Sequence, residues 1–185
     1  MIDVNDLRKG VTFEIDGQLY RVIEYQHHKP GRGNAVIRTR LRDLRTGATI
    51  DKTFLSGNRV QEIRVDTVEM QYLYRDGDLY HFMDTRTYEQ RAVDSKMMED
   101  AVYYLVDGMV VTFHEYQGEA LGVELPITVD LKVVQADIAV KGDTATGANK
   151  LVTVETGYRV HVPLFVNEGD IVRIDTRTGQ YLTRI

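Results

Sequence analysis

The residues best suited to chemistry lie together in His27-His28-Lys29-Pro30-Gly31-Arg32-Gly33-Asn34-Ala35. Pro30 fixes φ, while Gly31 and Gly33 tolerate positive φ, so the chain can reverse tightly with Arg32 between two residues without side-chain bulk. Lys29 offers a compact charge and Arg32 a planar, permanent cation. Arg38, Arg40 and Arg42 follow at period two, which places them on one face of a strand. This array is a basic finger suited to a phosphate backbone. The same residues also fit a solvated hairpin whose charges protect a sheet edge from aggregation. Other chemistry finds less support. His27 and His28 are adjacent, so in a strand they point to opposite faces, and His81, His114 and His161 lack partners at ligand spacing. With no cysteine and no G-x-S-x-G, neither thiol chemistry nor a serine nucleophile is expected. Glu99-Asp100 reads as the solvent face of a short helix, and no helical pattern follows Gly31 and Gly33, as a dinucleotide loop would require. The expectation is a binding protein without metal or cofactor, not an enzyme.

Two strand-like runs must position the finger, residues 18–26 and 35–44. Each arm of about nine residues would reach on the order of 30 Å if extended. Alternation of apolar and polar residues recurs throughout. Val11, Phe13 and Ile15 alternate with Thr12 and Glu14, and Asp16-Gly17 then predicts a two-residue hairpin turn. Further runs fall at 70–74, 79–83, 109–116, 127–134, 159–163 and 171–174. Helical periodicity is scarce. Residues 96–105, with Asp94 or Ser95 as cap and Met97, Ala101 and Leu105 on one face, predict one short helix, and Asn5 is a candidate cap for a turn ending near Gly10.

A weak internal echo helps to count modules. Asp43-Leu44-Arg45-Thr46-Gly47, Asp84-Thr85-Arg86-Thr87-Tyr88 and Asp175-Thr176-Arg177-Thr178-Gly179 share D-x-R-T and read as turns between strands. Spaced as they are over 185 residues, they favour three small β-barrel modules over one large sandwich. The expected domains are 1–64, 65–127 and 128–185.

The net charge of −5 conceals a segregation. Residues 1–64 carry 12 Lys and Arg against 8 Asp and Glu, whereas residues 65–126 carry 4 against 13. The first third is therefore the one suited to a polyanion, and the middle third would repel it. No run of about 18 apolar residues occurs, so no membrane partner is expected. The acidic start, Met1 to Asp6, is unlike a secretion signal, and the expected location is cytoplasmic.

Lys29-Pro30-Gly31-Arg32-Gly33-Asn34-Ala35 resembles the tip loop of the bacterial translation elongation factor P family. A second signature is Lys141-Gly142-Asp143-Thr144-Ala145-Thr146-Gly147, followed by Glu155-Thr156-Gly157, Val162-Pro163-Leu164-Phe165-Val166 and Glu168-Gly169. The likeness runs the length of the chain, through Asp6-Leu7-Arg8-Lys9-Gly10, Tyr80-His81-Phe82-Met83-Asp84 and Val123-Glu124-Leu125-Pro126. It implies an all-β chain of three small β-barrel domains in an L shape, a KOW/SH3-like barrel followed by two OB folds.

It further implies a monomeric factor that binds both ribosomal subunits between the peptidyl and exit tRNA sites and relieves stalling at consecutive prolines. Lys29, Pro30, Gly31, Arg32, Gly33 and Asn34 would meet the CCA end of the peptidyl-site tRNA, with Arg38, Arg40 and Arg42 as backbone contacts. Gly142, Asp143, Thr144 and Gly147 would touch the small subunit near the exit-site codon, or form an ordinary turn. Many relatives carry an extended lysine where this chain has Arg32, and arginine is a poor nucleophile. The resemblance leaves Arg32 either rhamnosylated by an Arg-modifying glycosyltransferase or unmodified. Lys150-Leu151-Val152 also departs from the family, which often has K-P-A there. The competing reading is a general KOW/OB single-stranded RNA-binding protein without a ribosomal role. The two-domain initiation factor five-A family fits less well, because it lacks a third domain and carries a modified lysine.

Overall fold

The computed structural model describes residues 1–29, 31, 35–137 and 149–185. Among the described residues, sixteen strands form three sheets. The first contains β1 (Ile2–Asp3), β2 (Thr12–Ile15), β3 (Gln18–His28), β4 (Val36–Asp43), β5 (Thr49–Leu55) and β6 (Arg59–Glu62), in the order β1-β6-β2-β3-β4-β5. The second contains β7 (Asp66–Asp76), β8 (Leu79–Asp84), β9 (Gln90–Asp94), β10 (Val110–Tyr116) and β11 (Glu119–Glu124), ordered β11-β10-β7-β8-β9. The third contains β12 (Thr128–Ala136), β13 (Asn149–Val154), β14 (Arg159–Pro163), β15 (Ile171–Asp175) and β16 (Tyr181–Arg184), ordered β14-β13-β12-β15-β16. Two compact units result: residues 1–67 with 114–122, and residues 68–113 with 123–185.

Turn chemistry sets the hairpins. Asp16 and Gly17 both take positive φ, at 51° and 77°, which matches a tight primed turn between β2 and β3. Gln117 (50°) and Gly118 (80°) repeat it between β10 and β11. The three D-x-R-T segments are strand-to-strand turns, as their sequence suggests. In each, the backbone N–H of the fifth residue donates to the Asp carbonyl, at 2.9 Å for Gly47, 2.9 Å for Tyr88 and 2.8 Å for Gly179.

Each sheet curls round its own core. Phe13 and Phe54 meet edge to face in the first, with Val22, Ile37 and Leu41 buried beside them. Phe82 and Phe113 do so in the second, at 4.9 Å between ring centres. The third core is built largely of valines, among them Val129, Val133, Val152, Val154, Val160, Val162 and Val172. Such β-branched side chains pack well on a pleated surface and stiffen it.

Two expectations need correction. The helix predicted over 96–105 is a single turn, α1 (Ser95–Met98), capped by Asp94 through the Lys96 N–H at 2.8 Å. At Glu99 the backbone swings to φ 45°, and Glu99–Tyr103 continues as a 3-10 helix. Ala101 and Leu105 are buried as expected, but Met98, Ala101 and Tyr104 are buried at three-residue intervals, the pitch of that tighter helix, whereas Met97 is only half-buried. Near the N-terminus the cap is Asp3, not Asn5: its carboxylate accepts from the Asn5 N–H at 2.8 Å, one residue ahead of the 3-10 turn Val4–Asp6. No helix among the described residues is long and apolar enough to cross a membrane, which says nothing of a β-barrel.

Candidate nucleic-acid interface

Strands β3 and β4 are the two arms that lead to residues 29–35, and β4 alternates strictly. Ile37, Thr39, Leu41 and Asp43 turn inward, while Arg38, Arg40 and Arg42 are exposed on the other face. The predicted arginine row therefore exists. The inward polar residues are satisfied: Thr39 Oγ1 donates to the Lys52 carbonyl at 2.8 Å, and the Asp43 carboxylate accepts from the Arg45 and Thr46 N–H groups.

Strand register makes the three arginines unequal. Arg40 lies between Glu24 on β3 and Asp51 on β5, so carboxylates flank it on both sides. Arg38 lies between Gln26 and Thr53, which are neutral. Arg42 lies between Thr49 and Arg21, which adds a second cation on the same rung. Arg21 is the residue that sequence reasoning missed. Its parity relative to Arg40 and Arg42 depends on a bulge between Val22 and Glu24, where Ile23 is the extra residue. Only the register across the arms reveals the pairing. Across-strand neighbours this close shift the local potential even without an ion pair. The outer face thus offers a neutralised rung between two positive ones, about 13 Å apart along the strand.

Other cations are already engaged. The Arg8 guanidinium lies 5.2 Å from the Tyr25 ring centre and donates to the Asn5 and Leu7 carbonyls. Arg45 donates to both Glu119 carboxylate oxygens, at 2.8 and 3.0 Å, and to the Gly17 carbonyl at 2.6 Å. That pair holds the Glu119 carboxyl below its usual range and raises Arg45 above its own, the side-chain hydrogen bond being the main cause of both.

At the end of β3, His27, His28 and Lys29 are exposed, and so is Gly31, around which a Cβ would meet nothing within 4 Å. Pro30, Arg32, Gly33 and Asn34 lie outside the described residues, as do Gly142, Asp143, Thr144 and Gly147, which fall between β12 and β13.

Known families match three successive stretches. Residues 3–60 match the elongation factor P KOW-like domain, 65–123 its OB domain, and 129–184 its C-terminal domain. Elongation factor P of Moorella thermoacetica is 52% identical over 184 residues, covering all of both chains. The proteins of that name from a Thermoanaerobacter species and from Finegoldia magna are 52% and 49% identical, again at full length. Among solved structures, initiation factor 5A from Methanococcus jannaschii shares the fold at TM-score 0.52 and 23% identity, over 68% of this chain and 90% of that one. An initiation factor 5A family protein from Naegleria fowleri gives 0.52 and 17%, over 67% and 96%. An all-β chain with a KOW-like and an OB domain, alike at full length to factors that share one name, belongs to the elongation factor P family and is a translation elongation factor, not an enzyme.

Proposed function

We propose that this factor binds the ribosome between the peptidyl and exit tRNA sites and promotes peptide-bond formation at consecutive prolines by positioning the CCA end of the peptidyl-site tRNA. The observation that carries the reading is the outer face of β3 and β4, where Arg38 and the Arg21–Arg42 rung are free of flanking carboxylates and lead toward residues 29–35. In this reading residues 1–64 reach the tRNA, 65–127 form an acidic middle domain, and 128–185 face the small subunit through Gly142, Asp143, Thr144 and Gly147. Arg38 and Arg42 neutralise backbone phosphates and set the register along the acceptor arm. Lys29 adds a charge near the end of that arm. By resemblance to the family, Pro30, Gly31, Arg32, Gly33 and Asn34 would meet the CCA end itself.

The physical gain is positional. Proline's fixed φ limits how a nascent chain can lie, and a factor that holds the tRNA end removes part of the entropic barrier while the ribosome does the chemistry. Arg32 keeps its charge throughout and presents a planar donor fork. Intact-mass measurement of protein from the native host decides its state: an added deoxyhexose marks action of an Arg-modifying glycosyltransferase, and an unshifted mass marks a bare arginine. The binding mode is tested by cosedimentation. Ribosomes with a vacant exit site should retain the protein as a monomer, and excess deacylated tRNA should displace it. Equal affinity for free single-stranded RNA and for ribosomes would instead favour a general RNA-binding protein.

A further inference from the structure

A cleft of about 700 Å³ opens near the start of β3, at the end of that strand remote from residues 29–35. Its walls come from Gly10 to Thr12 where β2 begins, from Arg21 on β3, and from Glu62 to Val65 where β6 ends. All of these residues belong to the first compact unit. In the ladder Thr12 lies opposite Arg21 and Arg21 opposite Arg42, so the two guanidiniums share one face.

The lining combines three kinds of group. Arg21 is half-buried in the wall, yet its guanidinium has no hydrogen bond, ion pair or ring contact with a described residue. Arg64 adds a second cation, engaged only by Asp66 at 3.6 Å with both side chains largely exposed, a pair that holds it weakly. The Glu62 carboxylate is exposed and likewise accepts nothing from a described residue; only its backbone carbonyl does, from the Gln61 side chain at 3.1 Å. The Thr12 hydroxyl is engaged, donating to the Ile63 carbonyl at 2.8 Å. Val11, Ile63 and Val65 supply the apolar part.

Charge and size choose the ligand. A half-buried guanidinium without a partner is suited to an anion, and its planar fork matches a phosphate bidentately. Two cations against one carboxylate, with Arg42 on the next strand, favour a dianion over a zwitterion such as an amino acid. An amino acid would also leave most of the cleft empty, whereas a mononucleotide suits the range of about 300–1,000 Å³ usual for ligand clefts. A carboxylate is the group that accepts from a ribose diol. We infer that this cleft binds a free nucleoside 5′-monophosphate, with the phosphate on Arg21 and Arg64, the ribose diol on Glu62 and the base against Val11 and Val65. The inference concerns the free chain and does not depend on the ribosomal role.

Calorimetric titration of the full chain with adenosine 5′-monophosphate tests it. Wild type should bind one nucleotide per chain, at least about tenfold more tightly than inorganic phosphate. Arg21→Ala should weaken the nucleotide about ten- to hundredfold at an unchanged melting temperature. Glu62→Ala should weaken it about fivefold but leave 2′,3′-dideoxyadenosine 5′-monophosphate, which lacks the diol, unaffected. A change in fold would weaken both nucleotides alike. Equal affinity for the nucleotide and for phosphate would show an adventitious ion only, and wild-type affinity in Arg21→Ala would put the nucleotide elsewhere; either result overturns the inference. Displacement of the nucleotide by a short oligoribonucleotide, at concentrations well below those at which the nucleotide itself binds, would assign the cleft to RNA and overturn it as well. Each of these results leaves the proposed function standing.

Discussion

The outer face of the N-terminal sheet is read one side chain at a time. Each uncompensated cation on a phosphate releases about one counterion, so its loss should lower the slope of log affinity against log salt by about 1. Arg38→Ala and Arg42→Ala should each do so in a salt titration of ribosome binding. So should Arg21→Ala, on the strength of its place opposite Arg42. Arg40→Ala should move the slope less, because Glu24 and Asp51 flank it. Equal slopes for all four variants would show that register does not sort these arginines. The row itself was legible in the sequence, since period two survives any strand that keeps its pleat. Arg21 was not, because a single-residue bulge at Ile23 resets parity in a way no local pattern announces. A second residue-scale prediction concerns Gly179. A Cβ there would collide with the Tyr158 hydroxyl, whose oxygen donates to the Gly179 carbonyl at 3.2 Å, and the backbone is left-handed. Gly179→Ala should cost at least about 2 kcal/mol by chemical denaturation. Gly77→Ala, left-handed but in open space, should cost about 1 kcal/mol. Equal losses would remove Tyr158 as the reason.

At the scale of elements, strands with one clean buried face were legible and the others were not. Residues 159–163 alternate plainly and coincide with β14. Strand β11 has no fully buried residue and β5 buries only Phe54, so neither shows the alternation that identifies a strand alone; each is held by a stronger neighbour, β10 and β4. The 96–105 segment misled for the opposite reason. Its spacing of Met97, Ala101 and Leu105 fits an α-helix, and Ala101 and Leu105 do enter the second core, but Met98 is buried in place of Met97 and the backbone tightens to a 3-10 turn after it. The third sheet also carries a pH signature. Asp175 is held down to about 2 from 3.8, chiefly by the Arg177 guanidinium and then by the backbone of the turn. Asp130 and Asp170 are also lowered, by Arg173 and by the Asn167 N–H respectively. A carboxyl with a depressed folded pKa contributes stability that is complete above its unfolded value and fades as pH falls through the folded one. Thermal stability should therefore be flat above about pH 5 on account of these groups and decline from pH 4 toward pH 2. Asp175→Asn should be less stable at neutral pH and decline less steeply; a slope identical to wild type would show that the turn does not couple to unfolding.

Over the whole molecule, charge and topology divide the work. The positive excess falls in the part of the chain that forms the first sheet up to β6, and the negative excess in the part that forms the second. That separation was legible from counting alone, and so were the all-β class and the family, because the signatures recur in order from Asp6 to Gly169. In the proposed function Arg32 is the side chain that meets the CCA end of the peptidyl-site tRNA. It stands at the centre of the account, and translation in vitro of a message with consecutive prolines tests it most directly. Wild type should restore full-length product, whereas Arg32→Ala, folded to the same melting temperature, should restore little. Equal rescue by the two proteins would contradict the account.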